Sequence, residues 1–509
     1  MARLNATKRT RVTETLAEET TTNLAGGKAF KLTPHAKLIE QVVGAFWNED
    51  LYYAKGSKTS AQIVQGVKDV AKDDPRFPLQ LAAYARNVLY LRTTPQVLLV
   101  EASRIEACKP FVREYTSKIV KRADELTDIV AYYTSTSGSH KGFPNSLKRG
   151  LADAFVKFDE YQLNKYDSSK SVVTLGQVAQ LVHPALGKAM YNFLTKDEVD
   201  AEALPKIGAL KALLAKDKID AEAIELIGKS NVTWETLISK FGASKETWEL
   251  VIPNMGYMAL LRNLRNFEQK GVNLTPVLAR IANPEEVKRS KQLPYRFYSA
   301  YLQVSEQKVQ RAIAQAFEHS ISNVRLEGRT AVMVDLSGSM GSALSDKSAM
   351  SYRNVGTVLG AIVVKKSEES VAIGFGDTAQ IAKINPDDTM MTNIDKIDKL
   401  PVGHSTNAYR GFQVLGNRVV DRVVVISDMQ CYGGNEYYGS GLSNAWDEYV
   451  KNVNPNARLY SLDVSAYGSK QFPSRKNNVV TLNGWSDKII DMIGVYEREG
   501  AMLDEVRKW

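Results

Sequence analysis

From about Pro34 to Arg325 the apolar residues recur every three or four positions, and near residue 330 that rhythm gives way to short continuous apolar runs. Leu79, Ala82, Ala83, Tyr84, Val88 and Leu89 are spaced to share one face of a helix, as are Met258, Leu260, Leu261, Leu264 and Phe267. Breaks fall at Pro75, Pro95, Pro110, Pro144, Pro184, Pro253, Pro284 and Pro294, and no strand alternation stands out between them. So many consecutive helices do not close easily into one bundle. They stack as an array in which each pair buries its face on the next, although no fixed repeat length survives.

The later runs are Thr330–Asp335, Ser370–Phe375, Asp421–Ser427, Arg458–Val464 and Val479–Leu482. Helical stretches fall between most of them, at Lys347–Lys366, Asn407–Val419, Ser443–Asn452 and Asp487–Glu497. Apolar strands alternating with helices predict a buried, mostly parallel, doubly wound sheet. The chain of 509 residues is too long for one core. It divides into a flexible polar arm over 1–29, a helical array over 30–325 and an α/β domain over 326–509.

No run of about 18 apolar residues exists, so no membrane span is expected. The polar N-terminus lacks the apolar core of a secretory signal. Cys108 and Cys431 are the only cysteines, which disfavours a disulfide framework and makes a reducing, cytoplasmic setting the default. None of the five histidines stands at the i, i+4 spacing of a helical zinc pair.

Charge separates the two halves. Residues 326–509 carry 20 Lys and Arg against 22 Asp and Glu, while the preceding residues carry 46 against 35. The whole basic excess sits in the helical part, where a polyanion would bind with release of counterions.

In doubly wound sheets ligands sit beyond the carboxyl ends of strands, and the chemistry here falls at those ends. Asp335-Leu336-Ser337-Gly338-Ser339 offers one carboxylate and two hydroxyls, hard oxygens suited to a divalent cation such as Mg2+. Gly403-His404-Ser405-Thr406-Asn407 supplies further hydroxyls, and a third strand ends at Asp428. A cation held this way keeps an open position for an anionic group of a partner. Two carboxylates are fewer than a two-metal nuclease uses, and no G-x-x-x-x-G-K-[ST] loop occurs, so no catalytic residues are assigned.

This D-x-S-x-S pattern resembles the metal-ion-dependent adhesion site of von Willebrand factor A domains. The resemblance implies that Asp335, Ser337, Ser339 and Thr406 coordinate directly or through water, with Asp428 holding a coordinated water. Ser405 is one residue from Thr406, and the loop departs from the usual Gly-Gly-Thr.

The helical half resembles the TROVE module of the Ro ribonucleoprotein family in several ordered segments. These are Tyr84-Ala85-Arg86 with Leu91-Arg92-Thr93-Thr94-Pro95; Pro144 through Phe155 (PNSLKRGLADAF), continuing to Leu163; Leu181-Val182-His183-Pro184; and Trp248 through Phe267. The resemblance covers nearly the whole chain. It implies a HEAT-like helical ring with a central hole, joined to the von Willebrand domain. It implies Y-like small RNAs on the outer basic face and single-stranded 3′ ends of misfolded RNAs in the hole. The function would be RNA quality control, with an exoribonuclease as a candidate partner, no enzymatic activity and a monomeric protein.

Residues fitting RNA contact are Arg86, Arg92, His140, Lys141, Lys148, Arg149, Lys165, His183, Arg262 and Arg265. Some of these arginines would instead pair with carboxylates to lock helices together. After Lys165, Asp167-Ser168-Ser169-Lys170 departs from the more basic family pattern. Tyr295, Phe297, Tyr298 and Tyr301 could stack on bases, but packing between helices is the commoner use of such a stripe. A competing reading is a metal-dependent protein-adhesion module, which the basic array argues against.

Overall fold

The computed structural model describes residues 17–22, 28–44, 58–138, 142–167, 171–321, 324–344, 348–428, 441–464, 478–483, 488–497 and 501–509. The chain forms two compact units. One comprises Pro34–Leu260, Asn266–Leu274 and Leu503–Trp509; the other comprises Met1–Thr33, Leu261–Arg265 and Thr275–Met502.

The first unit is helical. Helices Phe77–Asn87 and Thr93–Ser103 are buried on nearly every face, the pattern of elements at the centre of a stack. Pro78 and Pro110 lie in the first turns of their helices, where proline lacks only a donor that no helix would use. Proline thus opens helices here as much as it separates them. Capping boxes start Glu160–Tyr166, through Asp159 and Gln162, and Leu175–Val182, through Thr174 and Gln177. Helices Lys109–Ile119 and Asn145–Phe155 approach closely at Gly150, where a Cβ would lie 2.5 Å from Thr116 Oγ1. The tail Leu503–Trp509 belongs to this unit. Gln80 Nε2 donates to the Arg507 carbonyl at 2.9 Å, Lys118 Nζ donates to the Trp509 carbonyl at 2.7 Å, and Val506 is buried.

Ion pairs, that of Arg86 with Glu125 buried, tie the helices together. Glu125, at the start of helix Asp124–Ser137, accepts from Arg86 Nη2 at 2.6 Å and from the backbone N–H groups of Lys121 and Arg122. Asp124 accepts from Arg92 and Arg122. Asp128, one turn on, lacks such full compensation. Burial, and then the charge of Asp124, push its carboxyl up to about 6, with Arg92 opposing.

The second unit holds two sheets. Strands β1 (Ala17–Thr22) and β2 (Lys28–Leu32) pair antiparallel within and beside the segment expected to be an arm. The larger sheet contains β3 (Leu326–Asp335), β4 (Ser367–Phe375), β5 (Ala379–Ile381), β6 (Arg422–Ser427), β7 (Arg458–Asp463) and β8 (Val479–Asn483). Its order is β5-β4-β3-β6-β7-β8, parallel except for the short antiparallel edge β5. Every strand predicted from the apolar runs is present, whereas β5 and helix Met390–Asp398 carry too weak a pattern to have been read. The helix expected from Lys347 begins at Tyr352, because Ser351 and Asn354 form a capping box.

Phe412, Trp446 and Tyr449 pack together on one face of the sheet, among Met333, Phe375 and Val425. Arg422 is buried at the start of β6, where it bonds both carboxylate oxygens of Glu497 at 2.9 Å and the Thr330 hydroxyl at 2.8 Å. Helices Thr275–Ile281, Pro284–Ser290, Pro294–Tyr301 and Gln307–Ser320 belong to this unit, with Glu318 pairing to Lys365 at 3.5 Å. No helix among the described residues is long and apolar enough to cross a membrane.

Two outcomes follow from the ion pairs. Glu125→Ala leaves Arg86 buried without its partner and should lower the stability of the helical unit by about 3–5 kcal/mol in urea denaturation. Asp128→Asn should stabilise at neutral pH. The folded-state carboxyl titrates near 6 against a reference of 3.8, so ionised Asp128 costs stability above that range and costs nothing below about pH 4. Melting curves of the two proteins should separate as pH rises from 4 to 6; a constant offset across that range would contradict the assignment.

Candidate functional site

The carboxyl ends of β3, β4 and β6 lie side by side, because Asp335 is in register with Phe375 and Val334 with Ile426. Asp335 is therefore delivered to the end of a central strand with no solvent exposure, and Asp428, just beyond β6, is 1% exposed. Asp335 Oδ1 accepts the Ser337 N–H at 2.9 Å and Oδ2 accepts the Ser427 hydroxyl at 2.7 Å. The Ser337 and Ser339 hydroxyls are 3.2 Å apart.

The second loop is stitched to the first. Gly338 N–H donates to the His404 carbonyl at 2.8 Å, and Asn407 N–H donates to the Gly376 carbonyl at 3.1 Å. Thr406 is buried, whereas Gly403, His404 and Ser405 are exposed. The Ser405 hydroxyl donates to Asp377, which also accepts the His404 and Ser405 N–H groups at 3.0 Å each. The structure thus gathers Asp335, Ser337, Ser339, Thr406 and Asp428 onto three joined loops. Asp377 was missed in the sequence; its only signal there is an acid two residues past a strand end.

The donor set fits a hard divalent cation. Burial pushes the Asp335 carboxyl up to about 6, and the charge of Asp428 acts in the same direction against the Ser337 and Ser427 hydrogen bonds. A divalent cation would offset two such buried carboxylates, as further protein acceptors would not. Among the described residues no three His, Cys, Asp or Glu side chains gather into a metal-holding group, so any ion here rests on these mixed oxygens.

The basic residues divide by exposure. Arg86 is bonded to Glu125, with side chains 11% and 1% exposed, so it serves to lock helices together. Arg92 is half-exposed and pairs with Asp124 at 3.1 Å. Helix Asp124–Ser137 supplies a carboxylate to each of these two arginines. Lys148 is half-buried and Arg149 exposed on helix Asn145–Phe155, which packs on helix Leu175–Val182.

His183 ends helix Leu175–Val182 in the left-handed conformation, with φ 50°, and stays exposed. It therefore closes the helix through its backbone and presents its ring to solvent. Lys165 is exposed over the Tyr161 and Tyr166 rings at 5.5 and 5.6 Å, and Arg122 lies over Tyr166 at 4.8 Å. Arg122 and Tyr166 were not singled out in the sequence. Arg262 and Arg265 are exposed on helix Tyr257–Lys270, while His140 and Lys141 lie outside the described residues. Phe297 is fully buried, and burial raises the phenols of Tyr295 and Tyr298, so this stripe packs between helices.

Comparison with known proteins agrees with both halves. The TROVE domain family matches residues 35–199 and 227–352, and the Ro60 vWA domain family matches residues 329–496. The crystal structure of the Deinococcus radiodurans RO (RSR) protein superposes with a TM-score of 0.71 over 92% of this chain and 100% of that one, at 17% identity, a likeness of fold. Rat telomerase protein component 1 is 27% identical over 304 residues, 48% of this chain and 12% of that protein. The mouse protein of the same name is 35% identical over 116 residues, 22% of this chain and 4% of its own length. The chain thus spans a small fraction of these two relatives. With TROVE and Ro60 vWA matches that together cover most of its length, the chain belongs to the Ro ribonucleoprotein family.

Proposed function

We propose that this protein is the RNA-binding scaffold of a small ribonucleoprotein. It holds Y-like structured RNAs on an outer basic face of a helical ring and single-stranded 3′ ends of misfolded RNAs in the ring's hole, for RNA quality control. The observation that carries the reading is the partition of charge. The basic excess is confined to the helical part, and Arg149, Lys165, His183, Arg262 and Arg265 remain exposed there while Arg86 is consumed by an internal ion pair. Phosphates are the chemistry that such a surface takes up. The aromatic rings beneath Lys165 and Arg122 add a place for unpaired bases.

The strand-end pocket has a separate role in this reading. Asp335, Ser337, Ser339 and Thr406 would hold a divalent cation, Mg2+ by hardness, and Asp428 would hold a coordinated water. Such an ion offers an open position to an anionic group of a partner, and an exoribonuclease is the kind of partner that RNA quality control requires. The protein's own residues bind and orient; none is assigned to bond cleavage. A monomer working in the cytoplasm completes the proposal.

Affinity for a structured small RNA should fall steeply with salt when measured by filter binding. Combined Arg149→Ala and Lys165→Ala should weaken binding about tenfold or more and flatten the log–log slope by about 0.9 per lost phosphate contact. A slope near zero for the unaltered protein would overturn the reading.

A further inference from the structure

We infer that Asp377 is a positioning residue for the strand-end pocket: its carboxylate clamps the 403–405 segment and so decides that Thr406, not Ser405, turns its hydroxyl inward. The inference rests on the cation reading of that pocket.

Asp377 lies on the turn between β4 and β5, and its side chain is exposed, so it gains nothing from burial. What it does is gather three donors from one short loop. Its Oδ2 accepts the His404 N–H at 3.0 Å, and its Oδ1 accepts the Ser405 N–H at 3.0 Å and the Ser405 hydroxyl. These bonds hold the carboxylate below its usual range, so it is anionic at neutral pH and accepts strongly.

The loop is shaped to receive this carboxylate. Gly403 has φ +84°, and a Cβ there would lie 1.9 Å from Asp377 Oδ2. Gly376, next to Asp377, is equally constrained, since its Cβ would lie 2.7 Å from the carbonyls of Val402 and Gly403. Only glycine at both positions lets the two turns meet this closely.

Two consequences reach the pocket. The clamped His404 presents its carbonyl to Gly338 N–H, within the loop that carries Ser337 and Ser339. With Asn407 N–H bonded to the Gly376 carbonyl, Thr406 is bracketed on both sides by contacts to the same turn. Ser405, the only other hydroxyl of the 403–407 loop, is occupied by Asp377 and exposed, whereas Thr406 is buried. Asp377 thereby settles a choice between neighbouring hydroxyls that the sequence leaves open.

The test is a double-mutant cycle on the full chain, read by Mn2+ titration calorimetry together with melting of the metal-free protein. Asp377→Ala should weaken Mn2+ binding by about 10- to 100-fold, the range for residues that orient metal ligands. Metal-free melting should change little, and Asp377→Asn should fall between Asp377→Ala and the unaltered protein. Because Asp377 acts through Thr406, adding Asp377→Ala to Thr406→Ala should cost little beyond Thr406→Ala alone. Unchanged Mn2+ affinity in Asp377→Ala, with Thr406→Ala impaired, would overturn the inference and leave the cation site standing. Additive losses, or a collapse of metal-free melting in both Asp377 variants, would also overturn it by marking a general structural role. No Mn2+ or Mg2+ binding by the unaltered protein would remove the cation reading itself.

Discussion

A carboxylate without solvent exposure needs hydrogen bonds, a counter-charge or a proton. Asp335 is placed in that position by the parallel sheet: β3 runs through its centre and ends on this residue. The Ser337 N–H and Ser427 hydroxyl supply hydrogen bonds, yet the carboxyl is still driven upward by its burial and by Asp428. The loop after β3 is joined here to the 403–407 segment by the bond from Gly338 to His404 and to the end of β4 by the bond from Leu336 to Phe375. A divalent ion is the group that would satisfy the carboxylate's remaining demand.

In the helical unit the same constraint is met differently. Glu125 is as buried as Asp335, but Arg86 and two backbone N–H groups neutralise it from within the protein. The pair locks helix Phe77–Asn87 to helix Asp124–Ser137, and nothing further is required there. Positive charge that is not consumed in this way stays at the surface of this unit, on Arg149 and Lys165. Buried charge at Glu125 thus serves cohesion, while at Asp335 it leaves a demand that a cation would meet.

What could be read in the sequence depended on how local the signal was. Asp335, Ser337 and Ser339 sit within five consecutive residues after an apolar run, so strand, turn and donors were visible together. The strand ends at Phe375 and Ser427 were legible for the same reason. The fate of Arg86 was not, because its partner lies on a helix that sequence spacing does not bring near. Asp377 was hidden likewise: its role depends on His404 and Ser405, which only the fold places beside it. β5 escaped notice because three residues carry no measurable alternation, and its existence follows from pairing with β4.

Purifying the protein from its natural source and sequencing the RNA that accompanies it tests the scaffold assignment most directly. One or two abundant small structured RNAs, released by raised salt, are the predicted result. Absence of RNA, together with stoichiometric retention of a protein partner that is lost in Asp335→Ala, would contradict the assignment and identify a metal-dependent adhesion module instead.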